Sequence, residues 1–101
     1  MAKSYWIARL DIRDPKAYSE YRQLNAIAFA KYGGKFLVRG GPAETVMGPA
    51  REHNVVIAFD THEVALACYR SAEYQAAKKF LERVGEVELV IIGGYDGPQP
   101  A

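Results

Sequence analysis

Two arginines are the side chains best placed to do chemistry in this sequence. Arg9 and Arg39 sit in short apolar stretches, mid-strand or at a strand end, with strong hydrophobes beside them. An arginine stays charged at any working pH and presents a planar fork of donors to a carboxylate. Turned into a protein interior, such a group anchors an anion. The alternative is structural: an acid such as Asp11 or Glu44, or an acid of a partner chain, pairs with it and locks an assembly. Seven tyrosines add rings and hydroxyls: Tyr5, Tyr18, Tyr21, Tyr32, Tyr69, Tyr74 and Tyr95. Tyr18, Tyr21, Asn25, Ala28, Phe29 and Tyr32 recur at spacings of three and four, which puts them on one helical stripe. Arg9, Asn25 and Arg39 as anchors, with Tyr5, Tyr18 and Tyr32 as lining, form the candidate ligand-binding set. Packing of a helix on a sheet explains the same stripe, with each hydroxyl finding water or a carbonyl.

The remaining reactive side chains form no recognisable centre. His53 and His62 are separated too widely for a ligand motif, and Asp60 with His62 gives two metal ligands at most. No metal site is expected. A histidine base needs an orienting partner and a pocket, and the sequence shows neither. Cys68 lies near Ala65 and Ala67, in surroundings that suit a small buried hydrophobe. Arg70 is two residues away and on a helix points elsewhere. Gly33-Gly34 and Gly40-Gly41 follow element ends, and neither opens a helix as a phosphate cradle must. No catalytic residue is assigned and no cofactor is expected.

The whole chain bounds these readings. Its 101 residues suit one domain, residues 1–101, with a core over about 4–95 and a loose tail. Half the residues are hydrophobic (50%) and a quarter charged (25%), the balance of a soluble globular fold. Thirteen Lys and Arg face 12 Asp and Glu, for a net charge of +1. That near-neutrality argues against nucleic-acid binding. One cysteine allows no intrachain disulfide. Tyr5–Leu10 is followed at once by Asp11, Arg13 and Asp14, unlike a signal peptide. No apolar run approaches the roughly 20 residues of a membrane span. The expected location is cytoplasmic, without membrane contact.

The elements that must position the candidates follow from periodicity. Ser4–Ile12 alternates as a strand, with Trp6, Ala8, Leu10 and Ile12 on one face and Tyr5, Ile7, Arg9 and Asp11 on the other. Asp14-Pro15 starts a helix that runs to about Tyr32 and stops at Gly33-Gly34. Lys35–Arg39 is a second strand, with Phe36 and Val38 opposite Lys35, Leu37 and Arg39. That alternation places Arg39 with Arg9, on the face away from the helices. Glu44–Met47 reads as a short third strand and Asn54–Phe59 as a fourth. Thr61 and Ser71 cap helices over about His62–Tyr69 and Glu73–Arg83, and Glu86–Ile92 is the last strand. This order describes an α+β, ferredoxin-like sandwich with an antiparallel sheet and helices on one face. The other face would expose Ile7, Leu37 and Val56 or Ile57, a patch that monomers avoid. A second copy covering it, as a two-fold homodimer, is the simplest expectation.

Four segments carry a family resemblance. Tyr5-Trp6-Ile7-Ala8-Arg9, Asp14-Pro15-Lys16-Ala17-Tyr18, Tyr32–Gly41 and Ser71-Ala72-Glu73-Tyr74-Gln75 resemble DUF1330, a family of small bacterial proteins without assigned function. The most specific piece is Tyr-Gly-Gly-x-Phe-Leu-Val-Arg-Gly-Gly. The resemblance spans about Tyr5 to Tyr95 and implies the dimeric α/β barrel superfamily, in which two ferredoxin-like sheets face each other. Relatives there include cofactor-free monooxygenases, haem-degrading enzymes, muconolactone isomerases and stress-induced proteins, so the fold selects no chemistry. The chain departs from the pattern at Lys35 (often Arg), Ala58 (often Glu), Asp60 and Ala72 (often Pro), Cys68 (often Trp) and Gly93 (often acidic). If acids carry chemistry in relatives, Ala58 and Gly93 remove it here. Two functions stay open. One is a homodimer binding a small polar or aromatic molecule, with cofactor-free enzyme chemistry on it as an option. The other is a non-enzymatic dimeric module related to stress.

Overall fold

Local signals set the elements of the computed structural model, which describes residues 2–100. Strand β1 spans Ser4–Ile12. Asp14, in extended conformation, then accepts a hydrogen bond from the Ala17 N–H at 3.1 Å. With Pro15 next, this starts helix α1, Pro15–Tyr32. Gly33 ends the helix at φ +73°, a left-handed conformation that glycine adopts without strain. At Gly34 an added Cβ would lie 2.9 Å from the Phe59 ring, so only glycine lets the chain pass. Strand β2 is Lys35–Arg39 and strand β3 is His53–Phe59. Thr61 and Ser71 cap α2, His62–Arg70, and α3, Ala72–Leu81, through the N–H groups of Val64 and Tyr74. Strand β4, Gly85–Gly93, closes the order.

The four strands pair antiparallel in the order β2-β3-β1-β4, and the three helices lie on one side. This is the ferredoxin-like α+β arrangement. The sheet is open, and its shortest dimension of 17 Å is that of one helix layer on one sheet. Trp6 is the centre of the core. Its ring lies 4.8–5.9 Å from those of Phe29, Phe59, Tyr69 and Tyr74, mostly edge to face. Its indole N–H donates to the Ala65 carbonyl at 3.0 Å, which satisfies the one polar atom it buries. A second cluster of Leu10, Ala17, Leu81 and Val84 fills the other end.

Two expectations are corrected here. Glu44–Met47 forms no strand; residues 40–52 are an irregular excursion, with Val46 and Met47 exposed at its tip. Gly40-Gly41-Pro42 and Gly48-Pro49 bracket the short run, and it pairs with neither open edge of the sheet, that of β2 or that of β4. The second correction concerns β2. Phe36 pairs Ile57, but Val38 pairs Val56 and Arg39 pairs Val55, so the register slips at Leu37. The extra residue is a β-bulge, and it reverses the face of everything after it. Val38, not Leu37, joins Ile7 on the open face. Arg39 crosses to the helix side, against the alternation that placed it beside Arg9.

The open face divides into two halves. Ile7, Val38, Val56, Val90 and Ile92 form an apolar half, and all but Val56 are exposed. A charged network forms the other. Arg51 reaches from the excursion to Asp11 at 2.9 Å, Glu88 at 3.5 Å and Glu86 at 3.6 Å, while Arg13 pairs Glu86 at 2.9 Å.

Candidate functional site

The side chains brought together by the bulge surround a cavity between α1 and the sheet. Its floor is the helix face of the strands: Trp6, Ala8, Val55, Ile57 and Leu89. Its roof is the α1 stripe of Tyr18, Tyr21, Asn25 and Phe29, and Phe36 and Arg39 close one end. The volume is about 40 Å³, room for roughly three waters at about one per 10–15 Å³. A shallower groove of about 330 Å³ adjoins it, lined by Tyr18, Ser19, Arg22, Gln23 and Arg39. Tyr18, Arg22 and Arg39 line both, so they form the passage between them.

Electrostatics at that passage are one-sided. The Arg39 guanidinium lies 4.1 Å from the Phe36 ring centroid, and that of Arg22 lies 5.9 Å from the Tyr18 ring. Neither makes an ion pair among the described residues. Among the described residues, no carboxylate lines the cavity or the groove. At the inner wall the Tyr21 and Tyr74 hydroxyls bond each other at 2.9 Å. Burial raises both phenols above their ordinary range, Tyr74 most, so the pair stays neutral. Such a wall offers hydrogen bonds and no base.

The predicted candidates separate into two groups. Asn25, Arg39 and Tyr18 meet at the cavity. Arg9 and Tyr5 lie on the opposite face of the sheet, by the register of β1. Arg9 donates to the Asn54 side chain at 3.1 Å and the Pro49 carbonyl at 2.9 Å, and it faces Glu88 at 3.7 Å. Those contacts fit its structural alternative, although the partner is Glu88 rather than the Asp11 or Glu44 considered from sequence. Tyr32 packs at the edge of the core, with the Lys31 ammonium 5.7 Å from its ring, and lines neither space. Arg22 was missed. Its signal was present, since it is one turn on from Tyr18 in the same helix, but an exposed helical arginine is ordinarily a solvated charge.

Cys68 is fully buried, and desolvation pushes its thiol up to about 12, which suits the reading of a small hydrophobe. His62 Nδ1 lies 3.0 Å from the buried Ser4 hydroxyl, which also donates to the Ile92 carbonyl at 3.0 Å. The described residues contain no group of three or more metal-ligating side chains. None of their helices is long and apolar enough to cross a membrane.

Asp11 supplies a pH-dependent contact at the open face. The Glu52 N–H at 2.9 Å, then the Arg51 guanidinium, hold its carboxyl below the ordinary value of 3.8. A lowered folded pKa stabilises the fold above the unfolded value and loses that contribution as pH falls through the folded one. The expected NMR titration of the Asp11 carboxyl therefore has a midpoint below 3.8. A midpoint at or above that value would show that the clamp on residues 51 and 52 is absent in solution.

Comparison with known proteins agrees with this architecture. A protein of unknown function from Rhodopseudomonas palustris superposes with a TM-score of 0.77 at 16% identity, covering 95% of this chain and 85% of that one. An ethyl tert-butyl ether D (EthD) family protein from Bacillus halodurans gives 0.57 at 20%, covering 96% and 100%. A dimeric ferredoxin-like protein of unknown function from Thermobifida fusca gives 0.53 at 15%, covering 91% of each chain. At these identities the likeness is one of fold alone. No curated protein sequence shows a significant match. The family model named domain of unknown function DUF1330 matches residues 3–95, and with that the chain belongs to the DUF1330 family.

Proposed function

We propose that the protein is a homodimer that binds a small organic molecule between α1 and the sheet. The observation that carries the binding reading is Arg39: the bulge delivers it to an apolar cavity beside Arg22, with no acid to pair with among the described residues. A charge kept beside a partly empty, ring-lined space suits a ligand better than it suits packing. The dimer is supported by the apolar half of the open face and by the dimeric neighbour of the same fold. The cavity walls carry no histidine, carboxylate or thiol, and the tyrosine pair is held neutral, so the geometry supports binding over turnover. Asn25 and Tyr18 are the other contacts assigned to the ligand; Arg9, Tyr5 and Tyr32 are left out.

Native mass spectrometry of gently purified protein tests both parts. The expected spectrum is a dimer with a reproducible extra small mass, which Arg39→Ala removes without splitting the dimer. A bare dimer whose melting temperature no small organic molecule shifts would support the second reading, a non-enzymatic module. The engaged contacts of Arg9 favour that reading.

A further inference from the structure

We infer that the ligand is a small carboxylic acid. Its carboxylate sits between Arg22 and Arg39, and its short apolar end enters the cavity. This inference rests on the binding site proposed above and adds the chemistry that the site selects.

Three features carry it. The first is charge. Two guanidiniums border the passage and no carboxylate lines either space, so the local field is positive and unopposed. Both arginines are exposed and hydrated, so a cationic ligand is repelled there, a neutral one gains no charge pairing, and an anion gains it. Both groups are arginines, which remain charged at any pH of interest. The second is free donors. Arg39 lies 4.1 Å from the Phe36 ring centroid and Arg22 lies 5.9 Å from that of Tyr18. Neither guanidinium makes an ion pair among the described residues, so their N–H donors remain for a two-oxygen acceptor. The third is the division of polarity. The cavity behind the arginines is walled by Trp6, Phe29, Val55, Ile57 and Leu89, while Ser19 and Gln23 lie in the outer groove. An anion with an apolar tail matches that gradient, and a compact polyanion such as phosphate does not. The inner space of about 40 Å³ sets the size of the tail. That space takes a short alkyl end more readily than a phenyl ring.

The test uses defined probes on the intact protein: butyrate, benzoate, their neutral amides butyramide and benzamide, butylamine, and inorganic phosphate. Binding is read by calorimetry, with melting temperature as a second readout. The expected result is that the carboxylates bind at least tenfold tighter than their amides, that butylamine and phosphate do not bind, and that affinity falls with added salt. Arg22→Ala and Arg39→Ala should each weaken carboxylate binding at least tenfold. Arg39→Lys keeps the charge without the fork and should recover only part of the loss. Arg9→Ala, on the other face, should leave binding unchanged. If the amides bind as well as the acids, the site stands and its carboxylate selectivity is overturned. If phosphate binds as tightly as butyrate, the apolar end has no role and the inference fails. If no acid, amide or amine binds wild-type protein, the binding site itself is overturned.

Discussion

Trp6→Ala should destabilise the protein more than any other single truncation. Trp6 is 1% exposed and meets four aromatic rings contributed by α1, β3, α2 and α3. Its removal loses the burial of an indole and leaves a void that surrounding rings fill only in part. Such truncations cost about 3–5 kcal/mol, a large share of the roughly 5–15 kcal/mol that holds a domain together. For a chain of this size the melting temperature should fall by roughly 15 °C or more. The Ala65 carbonyl also loses its donor, the indole N–H. Trp6→Phe loses the indole N–H as well but keeps an aromatic ring and most of the volume, so the difference between the two variants reads the burial term. Its cost should be clearly smaller. Calorimetric melting of both variants checks the ordering. If Trp6→Ala melts within a few degrees of wild type, the aromatic cluster is not where the stability resides.

Ile7→Asp should dissociate the proposed dimer while leaving the fold intact. Ile7 pairs Val56 on one side and Val90 on the other, which places it mid-sheet on the open face. In the single chain it is 36% exposed, so an aspartate there keeps its water and the monomer folds. Against a second sheet the same carboxylate would be desolvated with apolar neighbours and no assigned cation. A buried unpaired charge costs several kcal/mol, and each 1.4 kcal/mol is about tenfold in Kd. A loss of at least a hundredfold in dimer affinity is expected, measured by analytical ultracentrifugation, with melting of the monomer close to that of a mildly perturbed surface variant. Leu37→Asp is the informative comparison. Strict alternation would make Leu37 the interface residue, but it is the extra residue of the bulge, so its effect should be smaller than that of Ile7→Asp or Val38→Asp. An Ile7→Asp dimer with unchanged affinity would move the interface to another surface.

Most of the architecture was legible in the residues because local rules decided it. The cap at Asp14, the Pro15 start and the Gly33 stop bound α1 from sequence. Alternation in Ser4–Ile12 sorted Trp6 and Leu10 from Ile7 and Arg9 correctly. The Glu44–Met47 segment differs from the expected strand because its flanks isolate it. It carries strand-forming residues, and β2 has an open edge, but a run of four residues between Gly-Pro breaks does not pair with it. Arg22 was overlooked because its importance comes from a neighbour on another element, Arg39, more than from its own helix.

The sequence by itself determined the family, the ferredoxin-like order of elements and an apolar open sheet face that asks for cover. Each depends on period, caps or motif, which act over a few residues. The make-up of the candidate site was decided only in the tertiary structure. One bulged residue, Leu37, sends Arg39 through the sheet to Asn25 and Arg22 and leaves Arg9 among Asn54, Pro49 and Glu88. Register depends on how a strand meets its partner, and a slip of one residue exchanges the faces of every side chain beyond it.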